Sequence, residues 1–174
     1  MPSLAGFKRQ TQHLPPPSPQ QTLDWMVKLT KKAQFDQPLR GFAEKLVLKI
    51  FPHDYLSEYA AILNWTRANI RYVRDPRMVE QVKTARAVYE TRTGDCDCMT
   101  MFAGALAGML GARVRYVAGA FKNGPSGSPQ LSHVWCEVYD PSSKAWVILD
   151  PVPGRRVGKM INKLIHVVKR TAVE

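Results

Sequence analysis

Three residue types that together carry out acyl transfer at an amide carbonyl occur in this chain in workable settings: a cysteine opening a helix, a histidine on a strand and an aspartate closing the next strand. Cys96 and Cys98 lie in the run Gly94-Asp95-Cys96-Asp97-Cys98. Behind it Met99, Phe102, Ala103, Leu106, Met109 and Leu110 recur at helical spacing until Gly111. That pattern predicts a capped helix over residues 96–110. Unpaired N–H groups and the macrodipole at a helix N-terminus favour an anion, and so favour thiolate over thiol. A cysteine beside a buried helix is equally at home as a small core residue, so the reading turns on whether a base can reach it.

A thiolate nucleophile needs a base to take its proton and a partner that fixes the tautomer of that base. His133 sits in Ser132-His133-Val134-Trp135-Cys136-Glu137-Val138-Tyr139, which alternates as a strand, and Asp150 ends Ala145-Trp146-Val147-Ile148-Leu149-Asp150 before Pro151. A hairpin closed by residues 140–144 pairs about a centre near 142. His133 then lies opposite 151, and Asp150 is its near cross-strand neighbour. The other histidines lack such a setting: His13 is in a Pro-rich arm, His53 follows Pro52, and His166 is in a basic tail. Cys96, Cys98, Cys136 and His133 also make a Cys3His set of the zinc type, but Cys96-x-Cys98 is tighter than usual ligand spacing. Zinc there would occupy the thiolate and inhibit hydrolysis, so no metal and no cofactor is assigned.

The elements that must position these groups follow from periodicity. The helix over 96–110 has no charge after Asp97, and its other face is Ala103, Gly104, Ala105, Ala107 and Gly108, which predicts burial on most sides with neighbours close to its backbone. After it, residues 113–121 alternate as a strand. Residues 122–130 form a Gly/Pro/Ser loop expected to shape the substrate groove, and the two strands just described complete an antiparallel meander. Before it, helices are expected from Thr22 to short of Pro38, over 39–51 until Pro52, and over 54–71. A short strand and turn follow over 70–76, then a connector over 80–92 that delivers the chain to Gly94. Trp65 is expected in the core rather than at the site. The class is α+β, with N-terminal helices and a central helix packed on an antiparallel sheet.

At 174 residues the chain suits one domain with appendages. Residues 1–21, with Leu14-Pro15-Pro16-Pro17-Ser18-Pro19, read as an extended arm of polyproline character that an assembly partner would hold. Residues 22–154 read as the domain, with its core at about 54–152. Residues 155–174 read as a basic tail, either an amphipathic helix on Val157, Met160, Ile161, Leu164 and Val168 or a strand over 165–170. Residues 1–53 carry 8 basic and 3 acidic side chains and residues 152–174 carry 6 and 1, against 7 and 7 over 54–98 and 4 and 3 over 99–151. The net +11 therefore belongs to the flanks. Nucleic-acid binding rests on that charge alone, without a recognised motif. No signal-peptide core or membrane span is read in the sequence, and three cysteines give no disulfide framework, so a protein made in the cytoplasm is expected, without a membrane role.

The ordered set Gly94-x-Cys96, Gly111, Arg115-Tyr116-Val117-x-Gly119, His133-x-Trp135-x-Glu137-Val138-Tyr139, Trp146 and Asp150-Pro151 resembles the transglutaminase-like superfamily, over about residues 60–152. The resemblance implies a papain-like fold, with Cys96 as nucleophile, His133 as general base and acid, and Asp150 as orienting carboxylate. It prefers Cys96 over Cys98, because Gly111 stands at the family distance from Cys96. It implies a thioester route on peptide or glutamine amide bonds, as protease or amidase more than as cross-linker, with a protein or peptide as substrate. The Gly94-Asp95-Cys96-Asp97 run and Tyr72-Val73-Arg74-Asp75-Pro76 further resemble small phage and prophage members. That likeness adds the alternative of a non-catalytic assembly protein of the virion, gripping its partners through the arm and the tail.

Overall fold

The computed structural model describes residues 11–14, 18–75, 80–152 and 166–173. Its centre is the helix Cys96–Met109 (α5), in which every residue from Asp97 to Met109 is buried. Asp95 starts it by accepting the Cys98 N–H on Oδ1 at 3.1 Å, which satisfies one of the orphan donors of the first turn. Gly111, at φ +91°, stops it, and the Ala112 N–H turns back to Ala107 O at 3.0 Å.

Small residues on α5 let other elements come close. A Cβ on Gly104 would stand 2.6 Å from the Tyr116 hydroxyl. That hydroxyl lies 2.5 Å from Thr30 Oγ1 and 3.3 Å from Met101 O, so one buried phenol ties three elements together where a side chain on Gly104 would part them.

Against α5 lies a four-stranded antiparallel sheet of Val114–Asn123 (β5), Pro129–Asp140 (β6), Ala145–Leu149 (β7) and His166–Val173 (β8), in the order β7-β6-β5-β8. The β6–β7 turn is held by Asp140, which accepts from the Ser142 and Ser143 N–H groups, with Lys144 at φ 54°. Both strands of the β5–β6 hairpin run further than their alternation predicted, leaving a tight connection in which Gly124 N–H donates to Ser128 O at 2.8 Å.

β8 decides between the two readings of the tail for the residues described: His166–Val173 is a strand on the open edge of β5. The proposed amphipathic stripe falls mostly on 153–165, outside the described residues. Ala172 is buried and Arg170 pairs with Asp24 at 3.2 Å, so the edge that β6 leaves free on β5 is closed by the chain itself.

The helical half begins earlier than expected. Pro19–Ala33 (α1) starts at Pro19 rather than Thr22, because Ser18 and Gln21 form a reciprocal capping box and a proline suits the first helical position. Gln37–Val47 (α2) is capped by Asp36, whose carboxylate also pairs with Arg86, and Tyr55–Asn69 (α3) is capped by Asp54. The stretch read as a connector is instead Glu80–Lys83 (β3), Ala85–Thr91 (α4) and Thr93–Gly94 (β4). β4 runs parallel to Arg71–Tyr72 (β2), and β3 pairs antiparallel with Thr11–Leu14 (β1). That part of the N-terminal arm is thus held by its own chain. Trp65 packs with Phe42, Tyr89 and Phe102 under the Arg92 guanidinium, half-buried against the edge of the core. No described helix is long and apolar enough to cross a membrane.

Candidate active site

Cys96 is the first residue of α5, and its place is set from both sides. Gly94 passes over the helix start so closely that a Cβ there would lie 2.7 Å from the Cys98 Cβ, which is the space requirement behind Gly94-x-Cys96. One turn on, Thr100 Oγ1 donates to Val134 O at 3.2 Å, which pins the N-terminal half of α5 to the strand that carries His133.

On that strand the β5–β6 register slips. Gly119 pairs with His133, but the next residue, Ala120, pairs with Leu131. Ser132 is therefore the extra residue of a bulge, a device that re-aims side chains and is common beside active sites. Because of it, Leu131, Ser132, His133 and Val134 all line a single cavity of about 290 Å³, together with Cys96, Asp97 and Ala118. Pro19 and Thr22 at the start of α1 also line this cavity. The loop over 122–130, expected to shape the groove, does not; Leu131 and Ser132, beyond it on the strand, do.

Asp150 lies just past β7. Its Oδ2 is 2.7 Å from His133 Nε2, and its Oδ1 accepts the Val152 N–H at 3.0 Å. Arg67 of α3 donates to the Asp150 carbonyl at 2.7 Å, clamping the segment. His133 is 2 % exposed and Asp150 1 %, so the pair is shut off from water. With both carboxylate oxygens accepting, Nε2 is the donor of the pair, which in a neutral imidazole leaves Nδ1 as the acceptor. Among the described residues that Nδ1 has no hydrogen-bond partner, although it is buried. The Trp135 ring stacks on the imidazole at 6.0 Å and 28°.

The thiol is not in the state its helix position predicted. Cys96 Sγ–H donates to Asp97 Oδ1 at 3.5 Å, and burial, followed by the Asp97 and Asp95 carboxylates, pushes its pKa well up from the ordinary thiol value. The macrodipole is worth about 0.3–1 kcal/mol at such a position, which desolvation and two like charges outweigh. Burial pushes up Cys98 and Cys136 as well. The zinc-type set is not assembled: Cys98 Sγ accepts the Lys83 N–H and Cys136 Sγ–H donates to Leu149 O. Among the described residues no three His, Cys, Asp or Glu side chains gather as a metal site.

All three residues singled out in sequence are thus accounted for: His133 and Asp150 touch, and Cys96 and His133 share a cavity. Sequence reasoning missed Arg67, Thr100, the bulge at Ser132 and the contribution of α1. For Asp97 the signal was present, a carboxylate next to the cysteine, but it was read only as the last charge before the apolar helix.

The family model of the transglutaminase-like superfamily matches residues 44–151. No curated protein resembles the chain closely enough in sequence to match. Among solved structures, a candidate cysteine protease from Cytophaga hutchinsonii superposes with a TM-score of 0.55 at 22 % identity, over 79 % of this chain and 52 % of the other. A candidate protease from Parabacteroides distasonis superposes with a TM-score of 0.58 at 12 % identity, over 76 % of this chain and 27 % of the other. These likenesses are of fold, and this chain spans about half the length of the first protein and about a quarter of the second.

Proposed function

Because the chain belongs to the transglutaminase-like superfamily, we propose that it is a thiol hydrolase of peptide or glutamine amide bonds, with Cys96, His133 and Asp150 as its catalytic residues. The observation that carries this reading is that His133, whose buried Nδ1 has no partner among the described residues, lines the same cavity as Cys96. A buried polar atom left unpaired costs about 1–3 kcal/mol, and an incoming thiol proton is what would satisfy it.

In this mechanism His133 Nδ1 takes the Cys96 proton as Sγ attacks the amide carbonyl carbon, and Asp150 holds Nε2–H and stabilises the imidazolium. The tetrahedral oxyanion is met by first-turn backbone. The Cys98 and Met99 N–H groups are already taken by Asp95, which leaves the Cys96 and Asp97 N–H groups as the candidate donors. When the C–N bond breaks, Nδ1–H protonates the departing amine or ammonia, leaving a thioester. Water then attacks as Nδ1 takes its proton, and the acid and the free thiol are released. Aminolysis in place of water would make a cross-link. Hydrolysis is the outcome proposed, because the three residues set the nucleophile and not an amine acceptor.

The test is the release of new N-termini from casein and of ammonia from glutamine peptides by the wild type and by Cys96→Ala. Loss of both activities in the variant is expected. Activity that survives the substitution would overturn the assignment, and the balance of the two products separates protease from amidase.

A further inference from the structure

The two halves of the proposed machinery are both in the cavity but are not joined. Among the described residues His133 Nδ1 has no hydrogen-bond partner, while the Cys96 thiol spends its proton on Asp97 Oδ1 at 3.5 Å. Asp97 is itself 6 % exposed and lines the same cavity. A buried carboxylate beside a thiol does two things: it accepts the S–H, turning that proton away from any other base, and it opposes the negative charge that ionisation would create. The proposed reaction needs neither effect, and both oppose the helix dipole.

We infer that Asp97 is a positioning residue that parks Cys96 as a protonated donor turned off His133, so that the nucleophile is released only when a group in the cavity takes over the Asp97 carboxylate. An amide N–H or an ammonium is the chemistry that fits: each donates to a carboxylate, as a thioether, an ester or a fatty chain does not. The inference rests on the proposed function for its meaning, but it concerns the resting thiol and is read without a substrate. Other charged or titratable groups around the thiol differ in role. Asp95 is committed to the helix cap. Tyr72 approaches from β2 opposite Gly94, with Arg74 on its phenol. The Lys83 ammonium is turned to Thr93, and Asp150 is engaged by His133 and Val152. Asp97 is therefore the group whose charge can be removed with the cap, the strand pairing and the His133–Asp150 contact left in place.

The experiment is alkylation of Cys96 by iodoacetamide from pH 6 to 10, read by fragmentation mass spectrometry with Cys98 and Cys136 as internal controls. Wild type is expected to react with a midpoint above the ordinary thiol value of about 8.5. Asp97→Asn should lower the midpoint by at least about one unit, giving about tenfold faster reaction at pH 7.5. Adding His133→Ala to that variant should remove most of the gain. Asp97→Ser, which keeps a good residue near the helix start, repeats the test should Asp97→Asn fail to fold as judged by thermal unfolding. A midpoint unmoved in a folded Asp97 variant would overturn the parking role, and a gain that survives His133→Ala would overturn release toward His133. Neither result touches the amide-bond reading, which stands or falls with Cys96→Ala.

Discussion

Replacing Asp150 by asparagine removes one charge, keeps the shape and sets two buried donors against a single acceptor. In the wild type, Oδ2 takes His133 Nε2–H at 2.7 Å and Oδ1 takes the Val152 N–H at 3.0 Å. An asparagine has only one oxygen. If it stays with the Val152 N–H, the amide NH2 faces Nε2, which must then give up its proton and act as acceptor. The proton moves to Nδ1, and the lone pair that faced the cavity is lost. If instead the oxygen stays with His133, the NH2 meets the Val152 N–H, donor against donor, at a side chain that is fully buried. The first choice costs catalysis and the second costs stability, at about 1–3 kcal/mol for an unpaired buried group. General acid–base action by a positioned side chain is worth about 10²–10⁴ in rate, so the wrong tautomer should slow acylation by that factor, or about 3–5 kcal/mol at 1.36 kcal/mol per tenfold. Acylation by p-nitroacetanilide, an amide that carries an N–H, followed as p-nitroaniline release, reads this without knowledge of the natural substrate, and urea unfolding reads the stability. An Asp150→Asn protein as stable as wild type and within threefold of its acylation rate would refute the reasoning for both arms.

Two further predictions concern the scaffold. Gly104→Ala gains up to about 1 kcal/mol of helix propensity, but its Cβ would stand 2.6 Å from the Tyr116 hydroxyl and 3.0 Å from Cε1. With Tyr116 fully buried and bonded to Thr30, overpacking costs about 1–3 kcal/mol and the displaced hydrogen bond about 1. A net loss of about 1–3 kcal/mol in urea unfolding is expected, partly recovered by adding Tyr116→Phe; equal or greater stability in Gly104→Ala would show that the packing argument is wrong. Alkaline pH should also unfold the protein early. Cys98 and Cys136 are 1 % and 0 % exposed, and chiefly burial holds both pKa values above the unfolded one. Their stabilisation is complete below about pH 8.5 and is lost as pH rises from there toward the folded values, at about 1.4 kcal/mol per pH unit for each thiol. Unfolding free energies at pH 8, 9 and 10 check this, and a flat profile would contradict it.

How much of this was legible in sequence depended on how local the cause was. α5 was readable to within a residue because Asp95, the apolar period and Gly111 act within one segment. The β6–β7 hairpin was readable because a short turn fixes its register: the structure pairs Asp140 with Ala145 and Cys136 with Leu149, each partner one residue further along than a centre at 142 gives, and Asp150 still reaches His133 from beyond the end of the strand. The bulge at Ser132 was not, since it depends on how β5 and β6 twist against α5. Nor was the contribution of Pro19 and Thr22, which reach the cavity only through the packing of α1 on α5 and β8. The tail was ambiguous for the same reason: β8 exists because β5 has an open edge, a fact of the whole sheet that Val167 and Val168 alone do not announce. Cys96 is the instructive case. Its place at the helix start was read from the local pattern, whereas burial and the Asp97 carboxylate, which push its pKa up against the dipole, come from the packing around it.

The measurement that bears most directly on the central claim is the mass of the protein quenched in acid during turnover of p-nitroacetanilide, an amide that carries an N–H. The account predicts one acetyl group, labile to hydroxylamine, on Cys96, absent in Cys96→Ala and formed at least about a hundredfold more slowly in His133→Ala. An acetyl group on Cys98 or Cys136, or one that forms on Cys96 just as fast without His133, would contradict it.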